Sequence, residues 1–173
     1  MAKLRQQSPT MLFGLITFIL IILVTFVGPW FYTQPADAIS FELASQPPSW
    51  AHPFGTNTLG QDQLARVMLG GQVSLTVGIT AMAMAVILGT LIGAIAGFYG
   101  GFMGACLMRF TDLFLSLPQL PLSLLVIYLF GDVARAVLGP QNGIFALVVL
   151  VIGGVNWMSV ARLVRAGFLT TRD

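Results

Sequence analysis

The chain alternates long apolar runs with short polar intervals. From Met11 to Trp30 it reads "MLFGLITFILIILVTFVGPW" without a charge. At about 1.5 Å per residue such a run crosses a hydrocarbon core of about 30 Å. A polar interval covers 33–73, and "SLTVGITAMAMAVILGTLIGAIAGF" is a second charge-free run from Ser74 to Phe98. After the glycine turn "YGGFMG" comes "RFTDLFLSLPQLPLSLLVIYLF", beginning at Arg109, with kinks expected at Pro118 and Pro121. The polar stretch "GDVARAVLGPQNG" reads as a loop, and Ile144 to Val160 forms a last apolar run. The pattern predicts an all-α integral membrane protein with four transmembrane helices. Residues 1–32 form a tail and first helix, 33–73 a connector, and 74–173 a core with helices at about 74–98, 109–130 and 144–161.

Within the connector, Pro35, Pro47, Pro48 and Pro53 interrupt any long helix. Thr58 and Gln61 have the spacing of a capping box, in which each side chain satisfies a free N–H at a helix start. A short amphipathic helix is expected from there, lying on the membrane surface or against neighbouring helices. Leu64, Val67 and Met68 fall on one side, with Asp62 and Arg66 as an i,i+4 pair on the other. In the second run Gly89, Gly93 and Gly97 recur every four residues, and Gly78 lies about three turns earlier on the same face. Small residues on one face let a second helix approach closely in lipid, so these four are candidate packing positions. Arg109 and Asp112 are an expected interfacial ion pair, since a charge is costly at the bilayer centre.

Composition sharpens this picture. The chain is 57% hydrophobic and 8% charged, against about 25% charged in soluble domains, so too few charges remain to coat a soluble surface. Lys3, Arg5, Arg109, Arg162, Arg165 and Arg172 fall on one side of a four-span topology; Arg66 and Arg135 fall on the other. The positive-inside rule then predicts both termini in the cytoplasm, with 33–73 and 131–142 outside. A net charge of +2 scattered over 173 residues gives no footprint for nucleic acid. Cys106, the single cysteine, reads as a small buried hydrophobe. The only lysine is Lys3 and the only histidine is His52, so no phosphate-binding loop, nucleophile–base pair or metal cluster can be assembled. Neither catalysis nor a cofactor is expected, and His52 is read as a loop residue hydrogen-bonding locally.

"HPFGTNTLGQDQLARVMLGGQVSLTVG", then "GAIAGFYGG", "LMRFTDLFLSLPQLPL" and "NWMSVARLVRAGFL", stand in one order along the chain. They resemble a membrane subunit of the dipeptide, oligopeptide and nickel ABC importers. The connector residues that carry the resemblance are His52, Pro53, Phe54, Gly55, Thr56, Leu59, Gly60 and Asp62. Asn57, Gln61 and Gly104 depart from it, where that family usually has Asp, Arg and Asp. The resemblance implies a MetI-like permease in the bacterial cytoplasmic membrane. It also implies a second permease subunit, two cytoplasmic ATPases and an extracytoplasmic binding protein. In that family the helix ending "ARLVRAGFLTTRD" continues into the EAA loop that docks on the ATPase. The sequence stops at Asp173, so the expectation is a shortened or split permease, with a non-transporting, assembly-only remnant as the alternative. No charged residue near mid-membrane points to a substrate.

Overall fold

The computed structural model describes residues 9–170. Lys3, Arg5 and Arg172, half of the inner positive set, lie outside the described residues. All regular structure among the described residues is helical: α1 Pro9–Phe26, α2 Gly28–Phe31, a 3-10 turn Phe41–Leu43, α3 Gln63–Tyr99, α4 Gly101–Leu115, α5 Gln119–Leu138 and α6 Pro140–Thr170. The helices α3, α5 and α6 are long and apolar enough to cross a membrane, and Thr10–Phe26 is a shorter apolar helix. The chain divides into two compact units, Met1–Leu75 and Thr76–Asp173.

Three element boundaries differ from the expectation. The surface helix and the second span are one helix, α3, of 37 residues, roughly 55 Å long and so longer than a hydrocarbon core is thick. Gly70 and Gly71 do not break it. Gly71 instead lets α1 approach, because a Cβ there would lie 2.9 Å from Thr25 Cγ2 and Oγ1, and Gln72 Nε2 donates to the Thr25 carbonyl at 3.0 Å. Nor does one kinked helix cover 109–130. The helix α4 ends at Leu115, and α5 restarts with Pro118 at its N-cap and Pro121 in its first turn. A proline there costs nothing, since those N–H groups have no intrahelical partner. The loop expected at 131–142 is mostly helix. Gly139, at φ 87°, is the one residue between α5 and α6, with Pro140 at the helix start.

In the first unit the chain turns back on itself. Thr25 meets Gly71, Gly28 meets Met68, and Tyr32 meets Asp62, so α1 and α2 run antiparallel to the start of α3. In the second unit Ala81 and Met84 contact Gly153, Gly89 contacts Trp157 and Val160, Gly93 contacts Ala161 and Val164, and Gly97 contacts Phe168. Numbers rise together on both helices, so α3 and α6 pack in parallel. The core between the helices is built from three alanines, two methionines and one tryptophan: Ala85, Ala96, Met108, Trp157, Met158 and Ala161.

Candidate functional site

The connector motif folds into a hydrogen-bonded cap on the start of α3. Pro53 occupies the second position of a turn closed by Gly55 N–H to the His52 carbonyl at 2.8 Å. Gly55 has φ +70° and Gly60 φ +74°, a region that only residues without a Cβ enter freely. A Cβ on Gly60 would also fall 1.7 Å from the Ser40 carbonyl oxygen, so glycine is required there twice over. Thr56 donates its hydroxyl to the Leu43 carbonyl and accepts the Gln46 N–H at 2.9 Å. Ser40 N–H donates to Leu59 O and Ser45 N–H to Asn57 O, tying 40–46 to the motif. Phe54 and Leu59 remain exposed.

Asp62 is the centre of this cap, 4% exposed. Its Oδ1 accepts the Ala65 N–H at 2.7 Å, which makes Asp62 the side-chain cap of α3. Its Oδ2 accepts the Tyr32 hydroxyl at 2.6 Å and His52 Nδ1 at 2.8 Å. An ionised carboxylate only accepts, so the histidine proton sits on Nδ1. Burial works to raise the Asp62 pKa, but the Ala65 amide, Tyr32 and His52 outweigh it and hold the carboxyl below 3.8. Burial first, then the adjoining carboxylate, push the Tyr32 hydroxyl up to about 12. Two segments, those of Tyr32 and His52, are thereby tied to the start of α3 through one carboxylate.

Two local expectations for this segment are replaced by other pairings. Thr58 does not cap the helix; Asn57 Oδ1 accepts the Leu59 and Gln61 N–H groups at 2.9 Å each, a turn local to the loop. Arg66 donates to Gln61 Oε1 rather than pairing with Asp62, whose oxygens are taken by Tyr32, His52 and the helix amide. Asn57 Nδ2 also donates to Gln61 Oε1 at 2.9 Å. The two departures from the family pattern at 57 and 61 thus bond to each other and leave the cap closed.

On α3 the structure brings three of the four candidate glycines to α6. A Cβ on Gly89 would lie 2.6 Å from the Trp157 carbonyl oxygen, and one on Gly93 2.5 Å from that of Ala161. A Cβ on Gly97 would lie 2.6 Å from Phe168 Cβ. Gly78 is not part of this stripe: a Cβ there would meet nothing within 4 Å. Although eleven residues bring it back to nearly the same face, Gly78 borders a groove of about 340 Å³ between α3 and α6 that also exposes Asn156 and Ser159. Gly104 closes on α3, its Cβ position 2.5 Å from the Ala96 carbonyl oxygen.

The expected ion pair is also rearranged. Asp112 faces Arg162 of α6, with Oδ1 and Nε 3.7 Å apart, and Arg109 is not its partner. The burial of Gly104, Met108 and Thr111 sets which side of α4 faces α6, and Asp112 follows Thr111 on the rim of that contact. Cys106 is exposed, away from this face, not buried. Arg135 pairs with Asp132 at 2.9 Å, both side chains exposed, and an exposed pair contributes little stability. Among the described residues no group of three or more His, Cys, Asp or Glu side chains could hold a metal.

This is a multi-pass, all-helical membrane protein, and its sequence places it among transport permeases. The family described as "Binding-protein-dependent transport system inner membrane component" matches residues 89–173, most of the α3–α6 bundle. The "N-terminal TM domain of oligopeptide transport permease C" matches residues 6–48. The two matches place the chain's similarity with transport permeases at both of its ends. It is 35% identical over 92% of its length to the oligopeptide transport system permease protein of Haemophilus influenzae, covering 49% of that protein. It is 33% identical over 84% of its length to a probable D,D-dipeptide transport system permease protein of Escherichia coli, covering 47% of it. A putative peptide permease protein of Brucella abortus is 34% identical over 96% of the chain, with 52% of the relative covered. The chain spans about half the length of these curated relatives.

Tyr32, Ser40 and Thr25 take part in these contacts without a local sequence signal. Tyr32 reads as one more interfacial aromatic after Trp30 and Phe31, and only the chain reversal brings it to Asp62, thirty positions away.

Proposed function

We propose that this chain supplies part of the transmembrane path of an ABC importer for peptides or a related small solute. The observation that carries the reading is the coincidence of the family match over 89–173 with the parallel α3–α6 interface. Parallel helices joined through α4 and α5 require an intervening crossing, as a four-span path with one return would provide. The α3–α6 groove, apolar apart from Asn156 and Ser159, is the surface we assign to the path. The permease itself performs no bond chemistry. Separate cytoplasmic ATPases would drive two arrangements of these helices, and an external binding protein would present solute to a pair of permease subunits. A ligand or nucleotide moves such an equilibrium only by binding the two arrangements unequally.

The orientation we assign is a cytoplasmic N-terminus in the bacterial inner membrane, with the connector outside. Antiparallel α1 and α3 support it, as does the clustering of Arg162 and Arg165 beyond the apolar part of α6. Cysteines placed at Gln46 and Gln141 in a Cys106→Ala background should react with an impermeant thiol reagent in intact cells. Protection of both would reverse the orientation. The functional test is uptake: a strain without this chain should lose binding-protein-dependent uptake of labelled di- and oligopeptides and regain it on complementation. Unchanged uptake across such a peptide panel would overturn the reading.

A further inference from the structure

The cleft between α4 and α6 holds charge that a solute path does not explain. A cavity of about 220 Å³ is lined by Met108, Asp112, Arg162, Arg165, Ala166 and Leu169. Arg165 Nε is buried there with no hydrogen-bond partner. Buried N–H groups of guanidinium are almost always paired, so an unpaired one marks a place where an acceptor belongs. Arg162 is held only by the 3.7 Å approach to Asp112, too long for a hydrogen bond, and both side chains are about half exposed at 55% and 54%. Two guanidinium groups against one carboxylate leave the cleft with one net positive charge.

We propose that this cleft binds the headgroup phosphate of an anionic phospholipid. Arg165 and Arg162 would donate to the two non-bridging oxygens, with the glycerol and first acyl carbons against Met108 and Leu169. The single excess charge suits a phosphodiester, which carries one negative charge. Asp112 repels the second charge of a free phosphate dianion. The half-apolar lining, at the end of an apolar helix, suits a molecule that is itself part charged and part hydrocarbon. Basic pockets between membrane helices bind acidic headgroups on this principle. The inference requires the end of α6 to sit at a lipid–water boundary and does not depend on the transport reading.

The test uses the whole chain purified in a neutral detergent, with dioleoyl phosphatidylglycerol, dioleoyl phosphatidylcholine or inorganic phosphate as probes. Native mass spectrometry should show phosphatidylglycerol retained about thirty-fold more than phosphatidylcholine, the scale expected for two basic contacts near a membrane surface. Inorganic phosphate should not displace it at equal concentration. Arg165→Gln should erase the preference, while Asp112→Asn should strengthen phosphatidylglycerol retention and admit inorganic phosphate. Should Arg165→Gln fail to fold, the half-exposed Arg162→Gln and Asp112→Asn carry the same reading with opposite expected signs. Equal retention of the two lipids, a preference insensitive to these substitutions, or displacement by equimolar phosphate would overturn the proposal.

Discussion

Replacing Asp62 by alanine removes three hydrogen-bond acceptor contacts at one buried point. Loss of the helix cap to Ala65 alone costs about 0.5–2 kcal/mol. Hydrogen bonds to a charged group contribute about 1.5–3 kcal/mol each, but the Tyr32 and His52 bonds are not lost in full. Tyr32 keeps the Ala51 carbonyl at 3.1 Å, and the His52 side chain is 14% exposed and can reach water. The net cost to the cap is therefore about 3 kcal/mol, close to a hundred-fold in the opening equilibrium. Hydrogen exchange in detergent should show the Gln63, Leu64 and Ala65 amides exchanging faster by about that factor, with α6 unchanged. Asp62→Asn keeps a good cap but not the charged acceptor, so a loss of about ten-fold is expected. An Asp62→Ala effect below about three-fold, or equal effects of Ala and Asn, would refute the assignment of Asp62 as the junction.

Acidity should test the same junction. The folded Asp62 carboxyl titrates below the 3.8 of an unperturbed one, so its contribution is complete above that value and lost as pH falls through the folded pKa. Protection of the α3 start should be flat from neutral to about pH 4 and then fall; a loss centred near pH 6 would contradict it. Tyr32, raised from 10.0 to about 12, contributes below pH 10 and loses that contribution as pH rises through the folded value. Gly93→Leu drives a side chain into the Ala161 backbone, 2.5 Å from the Cβ position, and should cost about 3 kcal/mol in detergent unfolding. Gly78→Leu, with open space around it, should cost under about 1 kcal/mol, and parity of the two would remove the packing argument. Gly60→Ala must enter positive φ against the Ser40 carbonyl and should open the connector to protease, whereas Gly70→Ala, with nothing within 4 Å, should leave it resistant.

What the sequence by itself determined is what depends on local chain chemistry. Long charge-free runs have nowhere to go but lipid, so the all-helical membrane class was legible. The glycines of the connector were legible only as part of a motif that resembles a family; the structure showed that Gly55 and Gly60 sit at positive φ. The four-residue spacing of Gly89, Gly93 and Gly97 was legible as a face, because a helix repeats near that period. Which residues meet across elements was decided only by the tertiary structure. Asp62 reads as a partner for Arg66 four residues on, yet the return of the chain after α2 delivers Tyr32 and His52 to the same oxygens. Asp112 reads as a partner for Arg109, yet α4 turns its small face to α6 and Arg162 becomes the nearest cation. A helical i,i+3 or i,i+4 pair gains only a few tenths of a kcal/mol, less than a packed helix face or a buried carboxylate with three donors. Where the two compete, packing chooses the partner, and that choice cannot be read from spacing along the chain.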